Sequence, residues 1–176
     1  MTLAEALEKL NISVDLVPKS NSNRPGTKFT ATYITIHNTD NDGPGADALA
    51  HAKYIKGADA RKRKVSWHYT VDDVRCVRHL PLNEVGWHAG SRGNSKSVAI
   101  EICEHTGINQ EKAIDRACLL TAVLMHNLKI AATNIVPHQH WTGKNCPKVI
   151  LNTWEGGMQE FVRRATAYLT EIIEVP

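Results

Sequence analysis

Short runs of β-branched and aromatic residues, separated by stretches with helical periodicity, constrain this chain more than any other feature. The runs cover 32–37 (TYITIH), 65–72 (VSWHYTVD), 74–80 (VRCVRHL) and 97–103 (SVAIEIC). Each has the composition of a strand and stops at turn residues, and the second and third lie close enough to form a hairpin. In 97–103 the alternation puts Val98, Ile100 and Ile102 on one face and Ala99, Glu101 and Cys103 on the other. Between and after the runs, helical spacing takes over. Ala48, Leu49, Ala52 and Ile55 share one face. A longer helix begins near Asn109 and carries Ile114, Ala117, Cys118, Thr121, Leu124, Met125 and Leu128 at the same period. A last helix carries Trp154, Met158, Phe161, Ala165, Tyr168 and Ile172, its first turn weakened by Gly156 and Gly157. Strands interleaved with amphipathic helices predict an α/β domain, a central mixed sheet flanked by helices.

The ends of the chain add less. Thr2 and Glu5 form the sequence pattern of a capping box, and Leu3, Leu7 and Leu10 make the stripe of a short helix. The polar, breaker-rich segment 18–28 reads as a loop within the same domain. At 176 residues the chain is expected to form one domain over 1–176, large enough for a core of its own. A formal net charge of +3 is too small to indicate nucleic acid, though it favours approach to an anionic surface. No apolar run approaches membrane-spanning length, and the acidic, interrupted N-terminus does not read as a signal peptide, so synthesis in the cytoplasm is expected. The basic run 61–64 (RKRK) reads as a solvated loop.

Of four cysteines, Cys76, Cys103 and Cys118 lie in apolar runs and are expected to be small, reduced, buried hydrophobes. Cys146 differs. It sits in GKNCP, a glycine- and proline-bounded loop, eight residues after His138, which itself follows a short apolar segment. His37 ends the strand at 32–37. Two imidazoles and a thiolate are a three-ligand set that leaves a fourth tetrahedral position open, and they suit Zn²⁺ better than an oxygen-seeking cation. With nine histidines in the chain, spacing alone leaves each of these residues open to an ordinary packing or loop role.

The segments YITIHNTDNDGPG, SWHYTVDD, GWHAG, VAIEICEH and VPHQHWTGKNCP, in that order, resemble the type 2 N-acetylmuramoyl-L-alanine amidases, most closely the phage endolysin and prophage kind. The resemblance runs from about residue 33 to 154. It implies the fold these enzymes share with peptidoglycan recognition proteins, zinc held by His37, His138 and Cys146, and hydrolysis of the amide between N-acetylmuramic acid and L-alanine. It implies peptidoglycan as partner, no nucleic acid, no membrane insertion, a monomer, and action on the wall after release by a holin or by lysis. No wall-binding domain is expected within this chain. Glu101 matches the family's catalytic glutamate, and a carboxylate in so apolar a strand is costly without a purpose. Lys144, two residues before Cys146, matches the catalytic lysine. His68, Trp87, His88 and Trp141 are expected in the substrate groove. His140, where relatives carry serine or an aromatic residue, is expected to be non-ligating, because side chains two apart on an extended segment point oppositely. The competing readings are a recycling amidase for soluble muropeptides and a non-catalytic binding module; modules of that kind lack the cysteine that Cys146 supplies here.

Overall fold

The computed structural model describes residues 1–173 as one six-stranded sheet with helices on both faces. The strands are β1 (Ile12–Val14), β2 (Tyr33–Asn38), β3 (Tyr69–Val71), β4 (Cys76–Arg78), β5 (Ser97–Ile102) and β6 (Ile135–Pro137). They lie in the order β1-β4-β3-β5-β2-β6, and every pair is parallel except the β3–β4 hairpin. The mixed sheet foreseen from the interleaved pattern is therefore present.

Alternation along the central strands sorts the helices. Ile34, Ile36, Val98, Ile100 and Ile102 point into the main core with α1 (Leu3–Leu10), α5 (Gln110–Leu128) and α8 (Gly157–Ile173). The opposite face carries Thr35, His37, Ala99 and Glu101. It is covered in part by α2 (Ala48–Lys56), whose Ile55 joins Ala99, Trp67 and Leu80 in a second cluster. Burial of so many aliphatic side chains on one face, at roughly 1.5–3 kcal/mol each, is what fixes the register. The other face is left to the site. Shorter helices α3 (Ala58–Arg63), α4 (Gly90–Asn94), α6 (Gln139–Thr142) and α7 (Lys148–Asn152) complete the fold.

Several expectations change. The runs 65–72 and 74–80 narrow to three-residue strands, because Ser66 N donates to Trp87 O and the amides of Val74 and Arg75 donate to Asp72 Oδ1 rather than to ladder partners. The hairpin itself holds: Asp72 Oδ1 accepts from Val74 N and Arg75 N, both at 2.7 Å, while its Oδ2 accepts from Ala48 N at the start of α2. Leu49 is exposed and His51 takes its place on the buried face of α2. The run 61–64 is solvated but not a loop; it closes α3, with Lys64 in the left-handed region at φ 52°. Trp154 precedes α8, because Gly156 and Gly157 both have positive φ and break the helix there. The segment 18–28 is a loop within the domain, yet Asn23 and Arg24 are buried. Asn23 Nδ2 donates to Ile55 O and Val65 O, so its polarity caps backbone rather than meeting water. Cys76, Cys103 and Cys118 are buried and free, as anticipated. No helix among the described residues is long and apolar enough to cross a membrane.

Candidate metal centre

The register of three adjacent parallel strands, β5, β2 and β6, builds the site. His37 on β2 stands directly opposite Glu101 on β5, and Pro137, the last residue of β6, lies opposite Ile36. His138 therefore follows at the same sheet edge, its amide donating to Ile36 O. Side chains from three adjacent strands thus meet at the carboxyl ends of a parallel sheet, where α/β folds ordinarily bind ligands. Cys146 is brought to that edge by the loop after α6: Gln139 N donates to Cys146 O, and Val149 N donates to Asn38 Oδ1.

His37, His138 and Cys146 each offer a ligand atom, and those atoms lie within 4.8 Å of one another. His37 Nδ1 stands 3.7 Å from Cys146 Sγ. Zinc–nitrogen and zinc–sulfur bonds at a tetrahedral angle would separate the two atoms by about 3.6 Å. The hydrogen bonding also selects the ligand atom. His88 Nε2 faces the carbonyl of Ser97 at 3.4 Å, and a carbonyl can only accept. His88 Nδ1 is then the bare nitrogen, and it accepts from His37 Nε2–H at 3.0 Å. That leaves His37 Nδ1 unprotonated and turned toward Cys146. Burial, followed by the neighbouring imidazoles, holds His37 well below the usual histidine range, so it is neutral as a ligand must be. Burial pushes the Cys146 thiol up to about 12. A bound cation would favour the thiolate instead, so the donor set fits a thiophilic divalent metal.

Glu101 Oε1 lies 3.8 Å from His37 Nδ1, and its side chain is only 14% exposed. Its Oε2 has no hydrogen-bond partner in the structure, and burial, opposed by Lys144, pushes the carboxyl up to about 8. An unpartnered buried carboxyl beside a candidate metal-binding trio is the kind of perturbed group that clusters at functional sites. It sits on an interior strand, paired on both sides, where no open sheet edge exposes it to water. Lys144 is exposed and lines the same groove, a cavity of about 700 Å³, together with Trp87 and His88.

Two expected groove residues lie elsewhere. His68 is completely buried. Its Nε2 donates to Glu84 O and its Nδ1 accepts from Ala99 N, so it braces the segment before Trp87 against β5. Trp141 lies outside the groove wall. Its Nε1 donates to Thr35 Oγ1 and its ring packs on Gly93, where a Cβ would come within 3.0 Å. Trp141 therefore holds α6 against α4. His140 is exposed beside Tyr33 and outside the ligand trio. His138 opens a helical turn rather than an extended segment, and two helical steps separate the rings as effectively. Sequence reasoning missed Asn94, whose Oδ1 accepts from the amides of His88 and Ala89. It also missed Lys148, which pairs with Asp40 and Glu104.

Sheet order, covering helices and edge cluster together define an α/β domain with a candidate hydrolytic metal centre. The chain belongs to the N-acetylmuramoyl-L-alanine amidase family, whose model matches residues 27–149. It is 45% identical over 174 residues to N-acetylmuramoyl-L-alanine amidase XlyA of Bacillus subtilis, covering 93% of this chain and 58% of that protein. It is likewise 45% identical over 149 residues to CwlH of the same organism, covering 82% of this chain and 58% of that one. The chain thus spans less than two thirds of these relatives. The solved catalytic domain of XlyA superposes with a TM-score of 0.80 at 45% identity, covering 88% of this chain and 99% of that domain. A Drosophila peptidoglycan recognition protein shares the fold at 16% identity, with a TM-score of 0.58.

Proposed function

We propose that this chain binds one zinc ion through His37 Nδ1, His138 and Cys146 and hydrolyses the amide between N-acetylmuramic acid and L-alanine in peptidoglycan. The observation that carries this reading is the meeting of two imidazoles, a thiol and a partnerless carboxyl at the carboxyl edge of the sheet, in a chain of the amidase family.

Zinc held there supplies Lewis acidity toward a water and a carbonyl. The chain's own groups do the rest. Glu101 takes the proton of the attacking water on its unpartnered carboxylate oxygen and returns a proton to the departing alanine nitrogen. Its burial raises its basicity toward the range where both transfers are feasible at neutral pH. Lys144, on the groove wall, places an ammonium near the carbonyl oxygen as that oxygen gains negative charge. His88 fixes the tautomer and ring plane of His37, and Trp87 offers an aromatic face to sugar or peptide. On this reading the enzyme acts on the wall after its release from the cell.

Mass spectrometry of purified peptidoglycan after digestion tests the assignment. New alanine N-termini and uncut glycan strands freed of stem peptide are expected, and chelation should abolish both products. New reducing sugar ends, or cleavage between stem-peptide residues, would refute it.

A further inference from the structure

The groove has a second wall that the hydrolytic chemistry leaves unused. It is formed by Tyr54 of α2 and by Arg63, Lys64, Val65 and Trp67 at and after the end of α3. We propose that Arg63 and Lys64 form a carboxylate-binding subsite that receives an acidic group of the stem peptide; this rests on the amidase reading.

Basic residues at a helix C-terminus have an ordinary explanation, since they complement the helix dipole. That explanation accounts for the sign of the run but not for its division. Arg61 and Lys62 lie outside the groove, whereas Arg63 and Lys64 line it. Lys64 also occupies a left-handed backbone position, φ 52°, where glycine would close the helix at less cost. Lysine there brings a charge to the groove that glycine would not.

The charges on this wall are not already spent. Lys64 forms no ion pair among the described residues. Arg63 donates one Nη1 hydrogen bond to Tyr54 Oη at 3.1 Å and has Asp59 at 3.8 Å, both on its own side of the groove. Tyr54 Oη donates in turn to Asp59 Oδ2, so the one acidic side chain near Arg63 is shared with the phenol. The Arg63 guanidinium is thereby held in place with donors to spare for a planar, two-oxygen acceptor. Tyr54 is itself backed by the buried Trp67, with ring centroids 6.3 Å and planes 21° apart. Of the two sides of the scissile amide, the peptide side carries free carboxylates. The muramoyl carboxyl is consumed in the amide itself. A cationic wall in the groove that also contains Glu101 and the proposed ligand trio thus matches the peptide side in sign.

The test compares kinetics on two soluble muramoyl tripeptides, one with free carboxylates and one with every carboxylate converted to a primary amide. Wild type is expected to favour the acid by about tenfold in kcat/KM, through KM, with the preference shrinking as salt rises from about 0.05 to 0.5 M. Arg63→Ala with Lys64→Ala should erase that preference while leaving turnover of the amide within about twofold. Arg63→Lys with Lys64→Arg should restore most of it, which shows that charge on a folded wall is what matters. An acid-to-amide ratio unchanged in the alanine variant overturns the subsite. So does an effect seen on intact wall alone with the soluble ratio unchanged, which would assign these cations to an anionic wall polymer. Failure of wild type to cleave either tripeptide or intact wall would instead remove the amidase reading on which the subsite rests.

Discussion

Replacing Glu84 with glutamine tests how the groove is held together. Arg24 Nε meets Glu84 Oε2 at 2.7 Å and Arg24 Nη2 meets Oε1 at 3.1 Å, with side chains 6% and 7% exposed; Lys28 reaches the same carboxylate at 3.0 Å. The backbone carbonyl of Glu84 accepts from His68, whose other nitrogen accepts from Ala99, two residues before Glu101. The ion pair thus locks the 18–28 loop and the approach to Trp87 and His88 onto β5. Hydrogen bonding from Arg24 lowers the Glu84 carboxyl from 4.5 to about 2. At roughly 1.4 kcal/mol per unit, that shift corresponds to about 3 kcal/mol of stability. Glu84→Gln keeps the volume but leaves the guanidinium buried without a counter-charge, a loss of the same order. Because the folded-state value lies below the unfolded one, the stabilisation is complete above about pH 4.5 and drains away as pH falls toward 2. Urea unfolding of both proteins should show a gap of about 3 kcal/mol at pH 7 and about half that or less near pH 3. A gap below about 1 kcal/mol at pH 7, or one equal at both pH values, would refute the reasoning.

Three further outcomes follow from the site. Glu101→Gln should retain the metal and lose about 10²–10⁴-fold in kcat, measured as release of alanine N-termini; near-normal turnover would place proton transfer on another group. Lys144→Ala should lower kcat by about 10²–10³-fold with zinc retained, and Lys144→Arg should rescue only part of that. A rise in KM with kcat intact would make Lys144 a substrate anchor instead. His88→Ala should weaken zinc affinity about 10–100-fold in competition with a chromophoric chelator, because it removes the acceptor that orients His37. Unchanged affinity would limit His88 to lining the groove.

The sheet and its helices were legible because apolar periodicity at 97–103 and from Asn109 onward is set by burial, which dominates local preference. The strand at Ile12–Val14 was not, since three residues carry too little period to register. Helices at 90–94, 139–142 and 148–152 escaped for the same reason. At the site, the trio proposed as ligands was picked out from residue chemistry and family resemblance, and parallel register then explains why His37, Glu101 and His138 meet. The roles of His68 and Trp141 could not be read that way. A histidine or tryptophan in a familiar segment looks the same from sequence whether it faces a groove or satisfies buried backbone and hydroxyl groups.

The most direct test of the account is to strip the protein of metal with a chelator, return zinc in measured steps, and follow release of alanine N-termini from purified wall. Activity should rise in proportion to added zinc and break sharply at one equivalent per chain, the stoichiometry set by His37, His138 and Cys146. Full activity in the stripped protein, or a rise that shows no break at one equivalent, would contradict it.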